Sequence, residues 1–516
     1  MSPVISAILF TLVPLATAYA VLDQRAAAVV PEQPLITPSP TLQHAVTKTV
    51  RRRGILDDVK GDVKGILSDL GSAIPSYVAS GVPNFFQDFP VGQDAQKSLG
   101  IDDDQVDALP TSVLNIPGYG NWTDRGWNLR FHGNVYKQPP TSQEKLDDLA
   151  NIFLIDTDIK DLAPDQQAQA RNLTASIFVL QQDNENVTFN LRPAPTAGAS
   201  GEQGGGGAVT PNGGNQQIRF PYPTTSQGDF DAFVQIESNG LADGNSTSDI
   251  QRLNVYTEGS NIGNATAYLV PPNGFSIISD IDDILRITKI YQPKEGLLNS
   301  FARPFVAWKN MPEIYANWSR SIPDFHFHYL TTTPEQITRN YMDFIYKTYP
   351  GGSFDTRPLN FSDVSATLSI RKFLLDKVFE TFPKRKFILM ADTSNSDVMK
   401  DYPQLAKDFP GQVQCIFLRN TSATDDGDRF PYDTSGFQDL DKNTYMFFKV
   451  PDDLKGLDIQ NGQCVNTTIT QNLTFSWQGL PFGLSKKSAA APRYTAATSS
   501  WVGMVVAMGL AAATFL

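Results

Sequence analysis

Cysteine is nearly absent from this 516-residue chain: Cys415 and Cys464 are the only two. They can form one disulfide at most, so a framework of several bridges is excluded. Two readings stand for them. Either they bridge in an oxidising compartment, or Cys415 is a small buried apolar residue on a strand. An excess of positive charge is also missing. Lys and Arg total 42 against 54 Asp and Glu, for a net charge of -12. That argues against a generic nucleic-acid binder. The glycine-rich stretch 201–214 has neither a strand before it nor a lysine or helix after it. It therefore lacks the parts of a phosphate-cradling loop and reads as a flexible hairpin insertion.

Long apolar runs are confined to the two ends. Ile5 to Leu15 is followed by the small-residue cleavage pattern Ala18-Tyr19-Ala20, with no Lys or Arg ahead of it. Residues 1–20 read as a secretory signal, with an N-terminal membrane anchor as the alternative. Trp501 to Leu516 is apolar and uncharged, preceded by the polar Arg493 to Ser500 and by the small residues Ser488, Ala489 and Ala490. That run is short for a spanning helix. Residues 488–516 read as a glycolipid-anchor signal, with a tail-anchored helix as the alternative. Ten Asn-x-Ser/Thr sequons begin at Asn121, Asn172, Asn186, Asn245, Asn264, Asn317, Asn360, Asn420, Asn466 and Asn472. Together these features predict passage through the secretory pathway to the cell surface or beyond.

Between the ends the composition changes in steps. Residues 21–53, rich in Pro, Ala, Thr and Val, read as a disordered leader. It ends in Arg51-Arg52-Arg53, which is a processing site or a solvated charge run. Residues 54–124 read as an amphipathic helix and a linker. Ile55, Leu56, Val59, Val63, Ile66, Leu67 and Leu70 recur at helical spacing, on a face that packs on the protein itself or on a membrane. From 125 to 270 the segments Trp127–His132, Ser176–Val179 and Asp231–Ile236 alternate apolar and polar between turn residues, which predicts an all-β sandwich-like domain. From 271 to 487 strands and helices alternate. Strands are predicted at Phe275–Ile278, Phe325–Leu330, Phe387–Met390, Val413–Leu418 and Tyr445–Val450, and helices at Glu335–Lys347, Ser365–Thr381 and Asp397–Phe409. The fold class is α/β, a doubly wound parallel sheet with helices on both faces.

Chemistry concentrates at the predicted strand ends. The apolar Phe275-Ser276-Ile277-Ile278 runs into Ser279-Asp280-Ile281-Asp282-Asp283-Ile284-Leu285. Asp280 and Asp282, one residue apart past a buried strand, point the same way if extended geometry persists. Such a pair suits metal-assisted phosphoryl transfer. The second strand delivers Thr331-Thr332-Thr333-Pro334, a hydroxyl and amides for a phosphoryl oxygen or a helix N-cap. The third ends at Ala391-Asp392, with Asp397 beyond. These acids complete an oxygen-rich Mg²⁺ shell, or Asp397 caps the next helix. Phe153 to Ile159, with Asp156 and Asp158, also places two aspartates after an apolar run, but reads as a surface loop. His326 and His328 share a strand face, as a transition-metal pair or as hydrogen-bonded histidines beside the site. Phe301, Phe305, Trp308, Tyr315 and Trp318 in 297–320 form an aromatic cap, a lipid-facing edge or core.

The order of these motifs resembles haloacid dehalogenase-like phosphatases. More closely, SDIDDIL (279–285), FHYLTTTP (327–334), FPKRKFILMADTSNSD (382–397) and VQCIFLRN (413–420) resemble the actin-patch phosphatidate phosphatase family. The resemblance covers about 271–425 and extends weakly into the β region. It implies a haloacid dehalogenase-like fold and Mg²⁺-dependent removal of phosphate from phosphatidate, a membrane lipid, leaving diacylglycerol. By position it implies Asp280 as nucleophile, forming an aspartyl-phosphate, and Asp282 as general acid and then base. Thr331 would bind phosphoryl oxygens and Lys372 would neutralise charge, although Arg371 sits nearest the expected spacing. Asp280, Asp282 through its carbonyl, Asp392 and Asp397 would hold Mg²⁺. Ile284 replaces the family's Thr or Val, and Ala391-Asp392-Thr393-Ser394-Asn395 replaces a Gly-Asp-Ser-Gly-Glu pattern. A lumenal route sits uneasily with a substrate at cytoplasmic membrane surfaces. The alternatives are a phosphatase of soluble phosphomonoesters and a cell-surface binding protein built on a decayed phosphatase.

Overall fold

The computed structural model describes residues 92–154, 156–194, 212–260, 264–322, 324–357, 364–424, 432–471 and 473–478. The expected signal, leader, amphipathic helix, anchor signal and most of the glycine-rich insertion lie outside them. Among the described residues no helix is long and apolar enough to cross a membrane.

The β region begins earlier than its sequence pattern suggests. Helices Gly92–Leu99 and Asp103–Asp107 and strands Thr111–Ile116 and Tyr119–Thr123 occupy what was expected to be linker. Seven further strands complete one nine-stranded sheet, antiparallel except where Tyr119–Thr123 runs beside Ala265–Val270. The sheet folds over itself. Phe131 of strand Gly126–Lys137 stacks on Phe189 of Thr188–Pro193, ring centroids 4.6 Å apart, although several strands separate them along the sheet. The architecture is sandwich-like, as expected, but not all-β. Helices Gln143–Asn151 and Pro164–Ile177 interrupt it. Ser142 caps the first through the Lys145 amide, and Pro164 opens the second, where its missing N–H costs nothing. Ala170, Leu173, Thr174 and Ile177 are buried at helical spacing. Ser176–Val179, expected as a strand, is therefore largely a helix end. Four residues are too few to separate a period of 2 from one of 3.6. The glycine-rich insertion joins Thr188–Pro193 to Gln216–Arg219, which pair antiparallel as a hairpin requires.

The second region is the expected alternation. In chain order it runs β1 (Phe275–Asp280), α1 (Pro293–Phe301), α2 (Met311–Ser321), β2 (His326–Pro334), α3 (Glu335–Thr348), β3 (Ser353–Arg357), α4 (Val364–Thr381), β4 (Lys386–Asp392), α5 (Ser396–Asp408), β5 (Val413–Arg419) and β6 (Tyr445–Phe448). All six strands are parallel, ordered β3-β2-β1-β4-β5-β6. Ile277, Phe327 and Met390 share one core with α2 and α3, while Ile278, Leu389 and Ile416 share another with α4 and α5. Helices thus cover both faces, which is why the strands read as continuous apolar runs. β3, a short edge strand with Asp355 on it, gave no such run and was not expected. Cys415 on β5 is bonded to Cys464, with Cα atoms 5.4 Å apart. The bridged reading of the two cysteines is the observed one.

A buried ion network joins the two regions. Arg130, from strand Gly126–Lys137, donates to Asp355 of β3 at 2.5 Å and to Asp231 at 2.8 and 3.0 Å. Lys377 of α4 reaches Asp231 at 2.7 Å.

A second buried cation sets the strand starts. Arg385, one residue before β4, donates to the carbonyls of Pro271, Asn273, Phe275 and Asp324 and to the Ser276 hydroxyl. Burial lowers its guanidinium to about 10, so it stays charged at neutral pH. Gly274 lies against it at φ +110°, where a Cβ would overlap the Asp324 carboxylate. Arg385→Met would strand these carbonyls. It is expected to cost about 3–5 kcal/mol in urea unfolding, whereas the exposed neighbour change Lys386→Met should stay within about 0.5 kcal/mol.

Candidate active site

The sheet turns from building outward through β2 and β3 to building the other way through β4 and β5. Ligands bind beyond the carboxyl ends of strands at such a switch point. There β1 pairs with β4, and Ser279 lies opposite Met390. Asp280 closes β1 and Asp392 closes β4, so two carboxylates crowd one crevice. Asp280 is 4 % exposed and Asp392 is 2 % exposed. Asp280 Oδ1 accepts the Ile281 amide at 3.1 Å, and Asp392 accepts the Ser394 amide at 2.7 Å. Burial pushes the Asp280 carboxyl up to about 6 against the pull of Arg371. Burial, then the charges of Asp283 and Asp280, push Asp392 up to about 7.

The cation at this crevice is Arg371, not Lys372. Arg371 Nη1 stands 3.1 Å from Asp280 Oδ2, while Lys372 pairs with Asp376 at 2.7 and 2.9 Å and is partly exposed. Helix phase is the reason. Leu374, Leu375 and Val378 form the buried stripe of α4, and Arg371 precedes them by three, four and seven residues. Lys372 precedes Asp376 by four, on the outer stripe. Burial alone would lower the Arg371 guanidinium, but Asp280, with Tyr402, Asp397 and Asp392 behind it, more than reverses this. Its Nη1 is taken by Asp280, while its Nε has no hydrogen-bond acceptor among the described residues. Buried donors left over beside an acid are what a phosphoryl oxygen would take.

Asp282 lies two residues on and is held by hydroxyls. Its Oδ1 accepts the Thr288 hydroxyl at 2.8 Å and the Tyr341 hydroxyl at 3.0 Å, and Arg286 Nε stands 3.5 Å away. Arg286 is fully buried, with Phe305 and Tyr341 rings against its guanidinium. Asp283 was not singled out from sequence, yet it fixes the loop. At φ +58° its carboxylate accepts the amides of Thr288, Lys289 and Ile290 at 3.1, 2.7 and 2.9 Å. The third acid of SDIDDIL was its only signal.

The other expectations divide. Thr331 follows Leu330, the partner of Asp280, and is 2 % exposed at the same edge. Asp397 sits in the first turn of α5 within reach of the Arg371 and Lys400 charges, and burial raises its carboxyl. The helix cap is Asn395, whose side chain accepts the Asp397 amide at 3.1 Å. His326 and His328 both meet the Ser353 hydroxyl at 3.0 Å, and burial holds both imidazoles well below their usual range. Theirs is the hydrogen-bonded reading. Phe301, Trp308, Tyr315 and Trp318 are core and Phe305 packs against it. Phe153 is buried on Phe301, leaving Asp156 and Asp158 in a surface loop whose Asp156 carbonyl accepts from Lys294 at 3.2 Å.

The four expected metal-binding acids do not gather into one shell. Among the described residues no three His, Cys, Asp or Glu side chains form a common cation site. Asp397 lies toward Arg371, and the engaged Asp282 carboxylate leaves the carbonyl expected to serve there as a separate donor. Two hard oxygen donors, Asp280 and Asp392, do share the crevice, each resisting ionisation. This fits Mg²⁺, which is held by one or two carboxylates and otherwise by water and phosphate. Because both acids titrate higher in the folded state than the unfolded value of 3.8, the folded protein binds more protons between about pH 4 and 7. Stability should therefore fall as pH rises through that window and stay low above it. Thermal midpoints at pH 5 and pH 8 should differ in that sense, Mg²⁺ should restore the midpoint at pH 8, and Asp392→Asn should remove much of the dependence.

Residues 275–420 match the family model described as phosphatidate phosphatase APP1, catalytic domain. The chain is 28% identical over 160 residues to phosphatidate phosphatase APP1 of Saccharomyces cerevisiae. The match covers 30% of this chain and 27% of that protein, so the chain spans little more than a quarter of its relative. All six described carboxyl-edge candidates, from Asp280 to Asp397, fall inside the matched segment. Over residues 275–420, therefore, this chain is similar to the catalytic domain of phosphatidate phosphatase APP1.

Proposed function

We propose that residues 271–487 form a Mg²⁺-dependent phosphomonoester hydrolase with a haloacid dehalogenase-like fold, acting on phosphatidate to give diacylglycerol and phosphate. The observation that carries this reading is the buried Asp280–Arg371 pair beside Asp392 at the sheet's switch point. Asp280 attacks phosphorus, and its new bond forms as the bond to the glycerol oxygen breaks. Asp282 gives that oxygen a proton, then takes one from the water that opens the aspartyl-phosphate. Thr288 and Tyr341 hold Asp282 in place. Arg371 offers its unengaged Nε to a phosphoryl oxygen, and Thr331 adds a hydroxyl. Mg²⁺, held by Asp280 and Asp392, supplies charge neutralisation when bound.

An inward cation speaks for an enzyme over a decayed surface-binding protein. The changed 391–395 loop has its own explanation, since Asn395 caps α5 where the family pattern has an acid. The same proposal routes the chain through the secretory pathway. The bonded Cys415–Cys464 pair favours it, because disulfides persist in oxidising compartments. The substrate would then be a lumenal or outer-leaflet lipid.

Phosphate release from phosphatidate in mixed micelles tests the reading. Asp280→Asn and EDTA should each reduce it to background. Release that survives Asp280→Asn would exclude the nucleophile, and none from the wild type would exclude the activity. Arg371→Met should lower kcat about 10²–10³-fold, in the range seen for loss of one transition-state donor. Lys372→Met should stay within about threefold, as expected of an exposed ion pair. Equal effects of the two would sink the assignment of the cation.

A further inference from the structure

Four large apolar or aromatic side chains among the described residues are more than a third exposed, and three stand together beside the crevice. They are Ile287 (37 %), Ile290 (42 %) and Val306 (55 %). The Ile287 amide donates to the Val306 carbonyl at 2.9 Å, and the Trp308 amide to the Leu285 carbonyl at 3.0 Å. Two short antiparallel segments therefore carry Ile287 and Val306 side by side. The Ile290 amide is tied to Asp283, so Ile287 and Ile290 belong to the loop beside Asp282, and Val306 lies on the segment paired with it. Single exposed apolar residues need no explanation, but a cluster does. The segment that carries it is cationic. From 287 to 309 the chain carries Lys289, Lys294, Arg303 and Lys309 against Glu295 alone, a local net charge of +3 in a chain of -12. Glu295 is taken up by Arg303 at 2.6 Å. No sequon lies between 265 and 316.

We propose that Ile287, Ile290 and Val306, with Lys294 and Lys309 beside them, form the surface that seats the active-site loop on a membrane rich in anionic headgroups. This rests on the lipid phosphatase reading and deepens it. Aliphatic tips enter the boundary of headgroups and acyl chains while the lysines meet the phosphates. Arg286, one residue before the patch, has its Nε 3.5 Å from Asp282. A headgroup would therefore meet the acid without leaving the bilayer far behind. The lipid-facing role expected of the aromatics in 297–320 falls instead to aliphatic residues around them.

The test is flotation of the full chain with phosphatidylcholine vesicles and with vesicles containing one-fifth phosphatidylserine, an anionic lipid that is not the substrate. Ile287→Ser with Val306→Ser, and separately Lys294→Glu with Lys309→Glu, should each lower partition onto the anionic vesicles about tenfold, judged by the several anchoring groups removed. All four positions are exposed, and unchanged thermal midpoints would show the variants folded. Hydrolysis of vesicle phosphatidate should fall in proportion, with dihexanoyl phosphatidate below its micelle concentration cleaved at the wild-type rate. Wild-type partition by both variants would overturn the proposal. A wild type that binds through the patch but cleaves neither form would instead refute the enzymatic reading and leave the surface standing.

Discussion

The guanidinium of Arg385 decides where three strands begin, and so where they end. It collects carbonyls from the lead-in to β1, from the first residue of β1 and from the turn before β2, while standing one residue ahead of β4 itself. A strand has a fixed rise per residue, so pinning the starts fixes which residue reaches the far edge. With Phe275 set opposite Lys386, Asp280 and Asp392 arrive in neighbouring positions at the switch point. A slip of one residue would turn each carboxylate to the opposite face. The crevice is thus built from the opposite end of the sheet.

At the crevice the balance is deliberately poor. Two buried carboxylates share one guanidinium that approaches only one of them closely. Burial and mutual repulsion outweigh that single attraction at both acids. Asp283 beside them is better supplied, with three amide donors. Buried acids left under-compensated together at a sheet edge mark a candidate functional site.

Much of this was legible in the sequence. Five of the six strands of the parallel sheet showed because strands buried on both faces are apolar throughout, and SDIDDIL showed because acids follow such a run. β3 was hidden because an edge strand with Asp355 has no apolar run to show. Arg371 and Lys372 differ by one residue, and only the phase of α4 against the sheet, a tertiary fact, chooses between them. Helix Pro164–Ile177 was hidden in a β-rich neighbourhood because its last turn mimics alternation. The loop held by Asp283 has no periodicity at all, so neither its amide clamp nor the apolar patch it carries could be read in advance.

The network of Arg130, Asp231, Asp355 and Lys377 has an implication for modularity. The chemistry lies within 275–420, yet the edge strand of its sheet carries a buried carboxylate whose close counter-charge belongs to the sandwich. Cutting the chain between the two regions would leave that acid facing solvent-starved surroundings with its cation gone. The parallel-sheet region is therefore tied to the sandwich by charge as well as by packing, and a boundary drawn from sequence periodicity at 270 marks a change of pattern and not a gap between separate cores.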